Sequence, residues 1–381
     1  RGLINKGNFC FANAIMQVLV FCAPFYNLFT KVGDEISADF ANATPLMEAV
    51  VHFLREFHLA ERPRGGRTGA SELAPNPQLS EPLVPEYVYE AMKLNKRFDL
   101  MRRGHQEDAE EFLGFFLDTL HEELLSAIQR SNARVAAMQK KSGAEEREVQ
   151  RPASPSEEGW MEVGQKGKTA FTRTTSNAES PITRMFGGKL RSVLRTPGAK
   201  DSVTLEPYQP LQLDIQPSHV HTIEDALLNL TVPETIPGVY SPARGGLVDA
   251  TKQVFIERTP PILVLHLKRF LYDEVGGVQK NVKEVGYTDT LDIGGEMVSP
   301  TRRAEGPTRY RLFGVVYHHG RYASGGHYTV DVLRQDGSGW IHFDDTTFGP
   351  VASEHVGRKA GQPLRGNGGH DGLAYLLFYK R

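Results

Sequence analysis

The sequence predicts an α+β fold, because the spacing of its apolar residues changes once along the 381-residue chain. In the first third, apolar residues recur every three or four positions, which is the spacing of amphipathic helices. After residue 203 they fall in short runs divided by Gly and Pro, which is the pattern of β-strands. Helices followed by strands is the order expected of an α+β domain.

The most regular helical pattern covers residues 106–124. Its apolar residues share one face and are Ala109, Phe112, Leu113, Phe116, Leu117, Leu120 and Leu124. A second helix is predicted over 10–22, and a third begins near Thr44-Pro45, where an N-cap residue precedes a proline. Residues 60–82 are rich in Gly, Pro and Arg and are predicted to form a loop.

Strands are predicted through the rest of the chain, at 203–215, 253–257, 262–272, 309–318, 326–334, 339–344 and 373–380. One helix, opened by Thr222, interrupts them. Residues 130–202 are rich in Ser, Thr, Pro, Lys and Glu and are predicted to be a flexible insertion. We expect a single domain over 1–381, with a mainly helical part (1–129), the insertion, and a β-rich part (203–381).

The composition bounds the partners and the compartment. With 44 Lys and Arg against 46 Asp and Glu, the formal net charge of −2 argues against nucleic acid or an anionic membrane as the main partner. No apolar run is long enough for a transmembrane helix. Two cysteines cannot build a disulfide framework, so we expect a reducing compartment, cytoplasmic and also nuclear. The first residues, RGLINKGNFC, lack a starting Met, and we expect a domain cut from a longer protein.

Cys10 is the candidate nucleophile. It stands at the start of a predicted helix, where the positive end of the helix dipole favours a thiolate. Asn5 and Asn8 place amide donors near its sulfur, as a developing oxyanion requires. A lone cysteine at a helix start is more often a small buried residue, but these neighbours favour catalysis. Cys22 lacks them and falls on the apolar stripe, so we interpret it as core.

His327 and Asp344 complete a candidate triad. His327 follows two glycines, and Asp344 ends a segment that reads as the neighbouring antiparallel strand. A carboxylate at that place reaches the imidazole ring, fixes its tautomer and stabilises the imidazolium. Alone, His327 is interpreted as an ordinary hairpin histidine and Asp344 as an aspartate in a turn after a strand. Their combination with Cys10 favours a catalytic role. The chain carries no P-loop, no Gly-x-Ser-x-Gly elbow and no HExxH zinc motif.

Six segments resemble ubiquitin-specific proteases. GLINKGNFCFANAIMQVLV (2–20) resembles the cysteine box of that family, and YRLFGVVYHHGRYASGGHYTVDVL (310–333) followed by GWIHFDD (339–345) resembles its histidine box. QEDAEEF (106–112) is similar to the glutamine-box helix, PILVLHLKRF (261–270) to a core strand, and AYLLFYKR (374–381) to the final strand. The segments occur in the family's order over the whole chain.

The resemblance implies a papain-like cysteine protease fold with a helical thumb, a β-rich palm and β fingers. It implies that Cys10 is the nucleophile, His327 the general base, Asp344 the orienting acid and Asn5 an oxyanion donor, with Asp345 assisting. The implied reaction is hydrolysis of the isopeptide or peptide bond after the C-terminal glycine of ubiquitin, through a thioester on the cysteine.

The resemblance also implies a binding site for the ubiquitin tail, which carries two arginines before Gly-Gly. Gln106, Asp108 and Glu111 are expected on the helix facing that basic tail. Phe270 and Tyr328 are expected to line its channel. The implied partners are ubiquitin and ubiquitinated proteins.

One departure from the common family pattern concerns the fingers. Many members hold the fingers with zinc bound by paired CxxC motifs, and residues 205–260 contain no cysteine here. We therefore expect no metal and no cofactor. The pattern is similar to the zinc-free subgroup that works with a partner bearing a nuclear-transport-factor-like domain, and this partner is expected to bind outside the present segment.

Several alternatives stay open at the level of sequence. The chain is also compatible with a non-catalytic or partner-activated ubiquitin-binding module on the same fold, and with a protease for another ubiquitin-like modifier. A general papain-like protease is disfavoured, because such enzymes are usually secreted and carry disulfides. The loop from Gly320 to Gly326 is expected to close the cleft until ubiquitin arrives.

Overall fold

The computed structural model describes residues 1–35, 43–57, 81–101, 106–141, 161–165, 168–174, 178–272, 277–322, 325–357 and 372–381. These residues form two compact units. The first unit comprises Arg1–Leu124, Arg269–Val282 and Leu312–Phe378, and the second comprises Leu125–Lys268, Lys283–Arg311 and Tyr379–Arg381. The predicted loop over 60–82 lies almost entirely outside the described residues.

The α-helices of the described residues are α1 (Cys10–Phe21), α2 (Ala23–Glu35), α3 (Pro45–Glu56), α4 (Glu86–Lys93), α5 (Ala109–Lys141), α6 (Pro181–Phe186), α7 (Ile223–Asn229) and α8 (Ser353–Val356). Short 3₁₀ turns lie at Lys96–Phe98, Gly295–Met297 and Arg303–Glu305. Within these described helices, none is by itself both long and apolar enough to cross a membrane. Only α1 and α2 taken together reach that length and composition, and they are bent by 85°.

The strands of the described residues are β1 (Met161–Gln165), β2 (Lys168–Thr174), β3 (Gly188–Arg195), β4 (Ser202–Tyr208), β5 (Leu211–Leu213), β6 (Glu234–Ser241), β7 (Gly246–Arg258), β8 (Ile262–Leu267), β9 (Phe270–Tyr272), β10 (Val278–Lys280), β11 (Thr290–Ile293), β12 (Thr308–His319), β13 (His327–Leu333), β14 (Trp340–Asp344), β15 (Thr347–Val351) and β16 (Leu373–Lys380). Helix and strand therefore both form, and the predicted α+β class is confirmed.

The first unit packs α1 against an antiparallel sheet. Its strands follow the order β15-β14-β13-β12-β16, counting only the parts of β12 and β16 that belong to this unit. Every residue of α1 is buried, and the helix lies on β13 and β14. A side chain at Gly314 of β12 would come within 2.4 Å of Val18, so glycine lets the helix approach the sheet closely. A short hairpin of β9 and β10 also belongs to this unit.

The second unit contains a sheet in the order β1-β2-β4-β3-β7-β6. Only the β2–β4 pair is parallel among these described strands. Within the expected fingers (205–260), the strands β4, β6 and β7 are held in this sheet by pairing. Separately, β5 runs parallel to β8, α6 packs on β8, and α7 packs beside β5.

Two predictions from sequence need correction. The predicted flexible insertion over 130–202 contains regular structure in its described part: α5 continues to Lys141, β1 and β2 follow, and α6 and β3 lie at Pro181–Phe186 and Gly188–Arg195. Ser180 and Thr183 make a capping box with a proline at the first turn, and the side chain of Val193 in β3 is buried. The glutamine-box helix begins at Ala109 rather than 106, since the Asp108 carboxylate accepts the Glu110 N–H and acts as its cap.

The start of α3 is stabilised by a residue distant in sequence. Thr44 occupies the predicted N-cap position, but its hydroxyl makes no capping hydrogen bond. Instead, the Glu123 carboxylate from α5 accepts the backbone N–H groups of Leu46 (3.1 Å) and Met47 (2.7 Å). Glu123 therefore provides an acceptor for N–H groups that have no partner within α3, and its charge complements the dipole of that helix.

We expect Glu123→Ala to lower the free energy of unfolding by about 1–2 kcal/mol, because two backbone donors lose a charged acceptor. Thermal unfolding followed by circular dichroism measures the change. Glu122→Ala is the matched control: Glu122 is exposed and pairs with Arg97, and such surface pairs contribute little. Equal melting temperatures for the two variants would show that the contact does not cap α3.

Candidate active site

Cys10 lies at the first position of α1 and is 3% exposed. The chain enters this helix through a tight turn in which Gly7 (φ +85°) and Asn8 (φ +64°) adopt left-handed backbone conformations. Glycine tolerates that region freely, and asparagine is among the few other residues that visit it. The turn places the sulfur at the positive end of the α1 dipole, where a thiolate is favoured.

His327 is the first residue of β13, and Asp344 is the last residue of β14. The two strands are antiparallel, with Asp331 opposite His342. Because side chains alternate along a strand, the face that carries this pair also carries His327 and Asp344. His327 Nε2 lies 2.6 Å from Asp344 Oδ1, so the predicted approach of the two side chains is present.

The charge state of His327 depends on both neighbours. Its pKa is raised to about 9, first by the hydrogen bond with Cys10, against the opposing effect of burial, and then by the hydrogen bond with Asp344. One ring nitrogen faces Asp344, which leaves the other for Cys10. An imidazolium held beside the sulfur is the arrangement that favours an ion pair with a thiolate. The chemical role predicted for each residue stays a prediction.

Asp345 does not contact the histidine in the same way as Asp344. Its Oδ2 accepts a hydrogen bond from Asn5 Nδ2, and its Oδ1 accepts one from Asn13 Nδ2, both at 2.9 Å. Its backbone carbonyl accepts the amide of Gln17 at 3.3 Å and the N–H of Leu3 at 2.8 Å. These contacts hold Asp345 in a left-handed conformation (φ +47°) and join the end of β14 to α1 and the segment before it.

Asn5 is fixed at both ends of its amide. Its Oδ1 accepts the backbone N–H of Phe9 at 2.7 Å, and its Nδ2 donates one hydrogen to Asp345. An amide nitrogen carries two hydrogens, and Asp345 accepts one of them. The geometry is consistent with the predicted oxyanion donor, and it gives Asp345 a specific task in orienting it.

The three residues predicted to meet the ubiquitin tail differ in their surroundings. Glu111 is exposed on α5, and its pKa is raised by partial burial and by the charge of Asp108. Asp108 is engaged instead: the Tyr375 hydroxyl lies 2.6 Å from each of its carboxylate oxygens. Burial raises the pKa of Asp108. The Gln106 amide nitrogen is buried and has no hydrogen-bond partner in the part of the chain that the structure describes.

Phe270 and Tyr328, the residues predicted to line the channel, belong to one aromatic cluster. The ring of Phe270 lies 5.3 Å from Tyr375 and 5.1 Å from His318, and the ring of Tyr328 lies 5.9 Å from Tyr375 and 4.8 Å from His318. The pKa of His318 is lowered to about 3, first by burial and then by the charge of Lys280. Residues 323–324 of the loop before His327 lie outside the described residues, and the closing of the cleft by this loop stays a prediction.

Sequence analysis missed Asn13, Gln17 and Tyr375. The signal for the first two was available, because they are polar residues four apart in a helix that is otherwise almost wholly apolar. Their burial indicates a polar partner from another element, which is Asp345. For Tyr375 the sequence offers no signal, since it stands within an ordinary apolar strand.

Metal binding is the remaining chemistry to consider. His327, Asp344 and Asp345 have donor atoms within 4.8 Å of one another. Both carboxylate oxygens of Asp345 already accept amide hydrogens, and Asp344 accepts His327. We assign no metal to this group, because an ion would have to replace hydrogen bonds that the site uses.

We expect Cys10→Ala to lower the pKa of His327 from about 9 toward the ordinary histidine value, because the largest cause of the increase is removed. Asp344→Asn lowers it in the same direction. An NMR titration of ¹³C-labelled histidine measures the pKa directly. Cys22→Ala, which removes a buried thiol on the same helical segment, serves as the control. An unchanged His327 pKa in Cys10→Ala would rule out the coupling.

The chain matches known proteins along its whole length. Residues 1–379 match the family model of ubiquitin carboxyl-terminal hydrolase. The probable ubiquitin carboxyl-terminal hydrolase 3 of Schizosaccharomyces pombe is 43% identical over 395 residues, covering 100% of this chain and 74% of the relative. Ubiquitin carboxyl-terminal hydrolase 10 of Rattus norvegicus is 37% identical over 392 residues, covering 100% of this chain and 48% of the relative.

Solved structures agree on the fold. The chain is similar to the structure of the SAGA Ubp8/Sgf11/Sus1/Sgf73 DUB module bound to ubiquitin aldehyde, with a TM-score of 0.69 and 20% identity. The match covers 100% of this chain and 69% of that one. The predicted protease fold is therefore confirmed. On the family model and the identity to both relatives, the chain belongs to the ubiquitin carboxyl-terminal hydrolase family, whose members are thiol-dependent deubiquitinases.

Proposed function

We propose that this chain hydrolyses the isopeptide or peptide bond after the C-terminal glycine of ubiquitin, using Cys10, His327 and Asp344. The observation that carries the proposal is the chain of hydrogen bonds from Cys10 through His327 to Asp344, with His327 Nε2 at 2.6 Å from the carboxylate. Family membership supplies the substrate class. The chain spans about half the length of the rat relative, so the activity of a longer protein is also part of the proposal.

In the first half-reaction, the Cys10 thiolate attacks the carbonyl carbon of the terminal glycine. The bond to the lysine nitrogen breaks, and that nitrogen leaves as an amine after it takes the proton from the His327 imidazolium. The product on the enzyme is a thioester. Asp344 keeps the imidazole ring in place and stabilises its charged form before the transfer.

In the second half-reaction, water replaces the amine. The now neutral His327 accepts a proton from the water, whose oxygen attacks the thioester carbonyl. The C–S bond breaks, ubiquitin leaves with a free carboxylate, and the sulfur returns to the thiolate. In both halves the carbonyl oxygen becomes negative, and we propose that the second N–H of Asn5 stabilises it.

We propose that both charge and shape contribute to recognition of the ubiquitin tail. Glu111 is the exposed carboxylate and suits an arginine of the basic tail. Asp108 already binds Tyr375, so we propose that its charge contributes to the potential while its side chain supports the aromatic wall. Phe270 and Tyr328 then border a channel narrow enough to favour Gly-Gly, and the buried Gln106 amide is a donor for a tail carbonyl.

The alternative functions are less well supported. A non-catalytic ubiquitin-binding module has no need for a histidine whose pKa is raised by a cysteine. A protease for another ubiquitin-like modifier would use the same triad, and the exposed Glu111 is the feature that favours a tail with arginines. The names of both relatives favour ubiquitin.

The proposed regulatory partner bears a nuclear-transport-factor-like domain and binds outside these residues. The support is the resemblance to the zinc-free subgroup and the absence of cysteine from residues 205–260. The proposed location is cytoplasmic and nuclear, on the ground that the sequence contains only two cysteines. Co-purification of tagged full-length protein with such a partner, lost when the additional region is removed, tests the first proposal.

We expect the wild type to form one covalent adduct with ubiquitin bearing a C-terminal electrophile, because the thiolate attacks at the position of the scissile carbonyl. Cys10→Ala forms no adduct and loses turnover but still binds ubiquitin, whereas Cys22→Ala reacts like the wild type. Intact mass spectrometry measures the adduct. An adduct on Cys10→Ala would place the nucleophile elsewhere, and no adduct on the folded wild type would favour a partner-activated module.

We expect Glu111→Gln to raise KM for a fluorogenic ubiquitin amide about 5–10-fold with little change in kcat, because a surface charge-assisted contact to the tail contributes about 1 kcal/mol. Steady-state kinetics measures both constants. Glu122→Gln is the control, since Glu122 is an exposed carboxylate three helical turns further along α5. A substrate whose tail arginines are replaced should lose the difference between wild type and Glu111→Gln.

A further inference from the structure

The orientation of Asn5 depends on two contacts, one at each end of its side-chain amide. The Phe9 N–H binds its oxygen, and the Asp345 carboxylate binds its nitrogen. If either contact is lost, the amide can rotate and its second N–H no longer points at a fixed place. The residues that hold Phe9 and Asp345 are therefore as relevant to the oxyanion as the contacts themselves.

Both contacts are supported by one side chain of α4, that of Tyr89. On the Asp345 side, Asn13 donates its amide to the carboxylate (2.9 Å) and accepts the hydroxyl of Tyr89 at its own oxygen (2.9 Å). On the Phe9 side, the phenyl ring stacks on the Tyr89 ring with centroids 4.5 Å apart and an interplanar angle of 29°. The five residues form a closed circuit in which Tyr89 lies opposite Asn5.

Burial makes this circuit stiff. Asn13 is 1% exposed, Tyr89 2% and Phe9 4%. Water cannot easily replace a hydrogen bond lost in such a place, and buried hydrogen bonds strengthen one another. The carbonyl of Asn13 would be left without the donor that Tyr89 supplies, which costs more than the average hydrogen bond contributes.

From this circuit we infer that Tyr89 is a positioning residue for the oxyanion donor Asn5. It acts through Asn13 and Asp345 on one side and through Phe9 on the other. Tyr89 does not touch the reacting atoms, and it lies in a segment of the chain that carries none of the motifs predicted to be catalytic. The inference rests on the proposed function, because an oxyanion forms only if the chain transfers an acyl group.

Two reactions of the Cys10 sulfur distinguish a positioning role of Tyr89 from a role in packing alone. Acyl transfer from ubiquitin creates a negative oxygen that Asn5 must stabilise. Alkylation of Cys10 by iodoacetamide is a displacement at a saturated carbon: a C–S bond forms, iodide leaves, and no oxyanion appears. A loosened Asn5 therefore slows the first reaction and leaves the second unchanged.

The test compares wild type, Tyr89→Phe and Tyr379→Phe. Tyr379 is also fully buried and donates its hydroxyl to the Thr288 carbonyl (2.7 Å), so its variant loses an equivalent hydrogen bond away from the circuit. On a fluorogenic ubiquitin amide, we expect Tyr89→Phe to lower kcat by about 10-fold, less than the ~100-fold or more lost when an oxyanion donor is removed. KM stays within about twofold, and the alkylation rate is unchanged. Tyr379→Phe keeps the kcat of the wild type.

Asn13→Ala is the second variant, because it removes both bonds that link Tyr89 to Asp345 and should lower kcat further. Thermal unfolding confirms that each variant is folded. Wild-type kcat in both Tyr89→Phe and Asn13→Ala would overturn the inference, as would an equal loss in hydrolysis and in alkylation, which would place the effect on Cys10 or on the fold. A folded wild type that is alkylated at Cys10 but does not hydrolyse the ubiquitin amide would instead contradict the proposed function.

Discussion

The Asp345 carboxylate connects the two parts of the sequence that the site needs. It sits directly after β14, whose last residue is Asp344, and it accepts hydrogen bonds from Asn5 and from Asn13 of α1. The backbone carbonyl of Asp345 accepts a hydrogen bond from the side-chain amide of Gln17, one turn further along that helix. Because α1 carries Cys10 and β14 pairs with the strand that carries His327, these hydrogen bonds join the helix of the sulfur to the sheet of the imidazole. The buried amide of Asn13 finds its acceptor in this carboxylate, and the carboxylate is in turn stabilised by the amide hydrogens that it accepts.

The pKa values of two histidines on neighbouring strands, His327 and His318, shift in opposite directions. His327 has a carboxylate on one side and a cysteine on the other, and its pKa is raised to about 9. His318, buried among aromatic rings and near Lys280, has its pKa lowered to about 3. Lys280 donates to the carbonyls of His318 and Gly320, and its own pKa is lowered to about 8, chiefly by burial. A histidine is thus favoured in its charged form beside a carboxylate and a cysteine, and in its neutral form where it is buried beside a lysine.

Local patterns predicted much of the fold. The stripe on α5, the capping box of α7 and the apolar runs of β8, β13 and β14 each depend on residues close together in sequence. Distant partners were not predicted. Thr44 stands at the predicted N-cap position of α3, but Glu123 supplies the capping acceptor, and β3 is stabilised by β4 and β7 on its two sides. Neither partner is visible in the local sequence.

The sequence by itself determined which residue types stand at the site: a cysteine at a helix start, a histidine after two glycines, and an aspartate at the end of the next strand. It did so because each of these depends on local backbone geometry and on spacing along one strand pair. Only the tertiary structure decided which hydrogen-bond partner each carboxylate has. Asp344 is hydrogen-bonded to His327, Asp345 accepts a side-chain amide of α1, and Asp108 accepts the Tyr375 hydroxyl. Those choices depend on which elements meet in the folded unit, and no spacing within a single element encodes them.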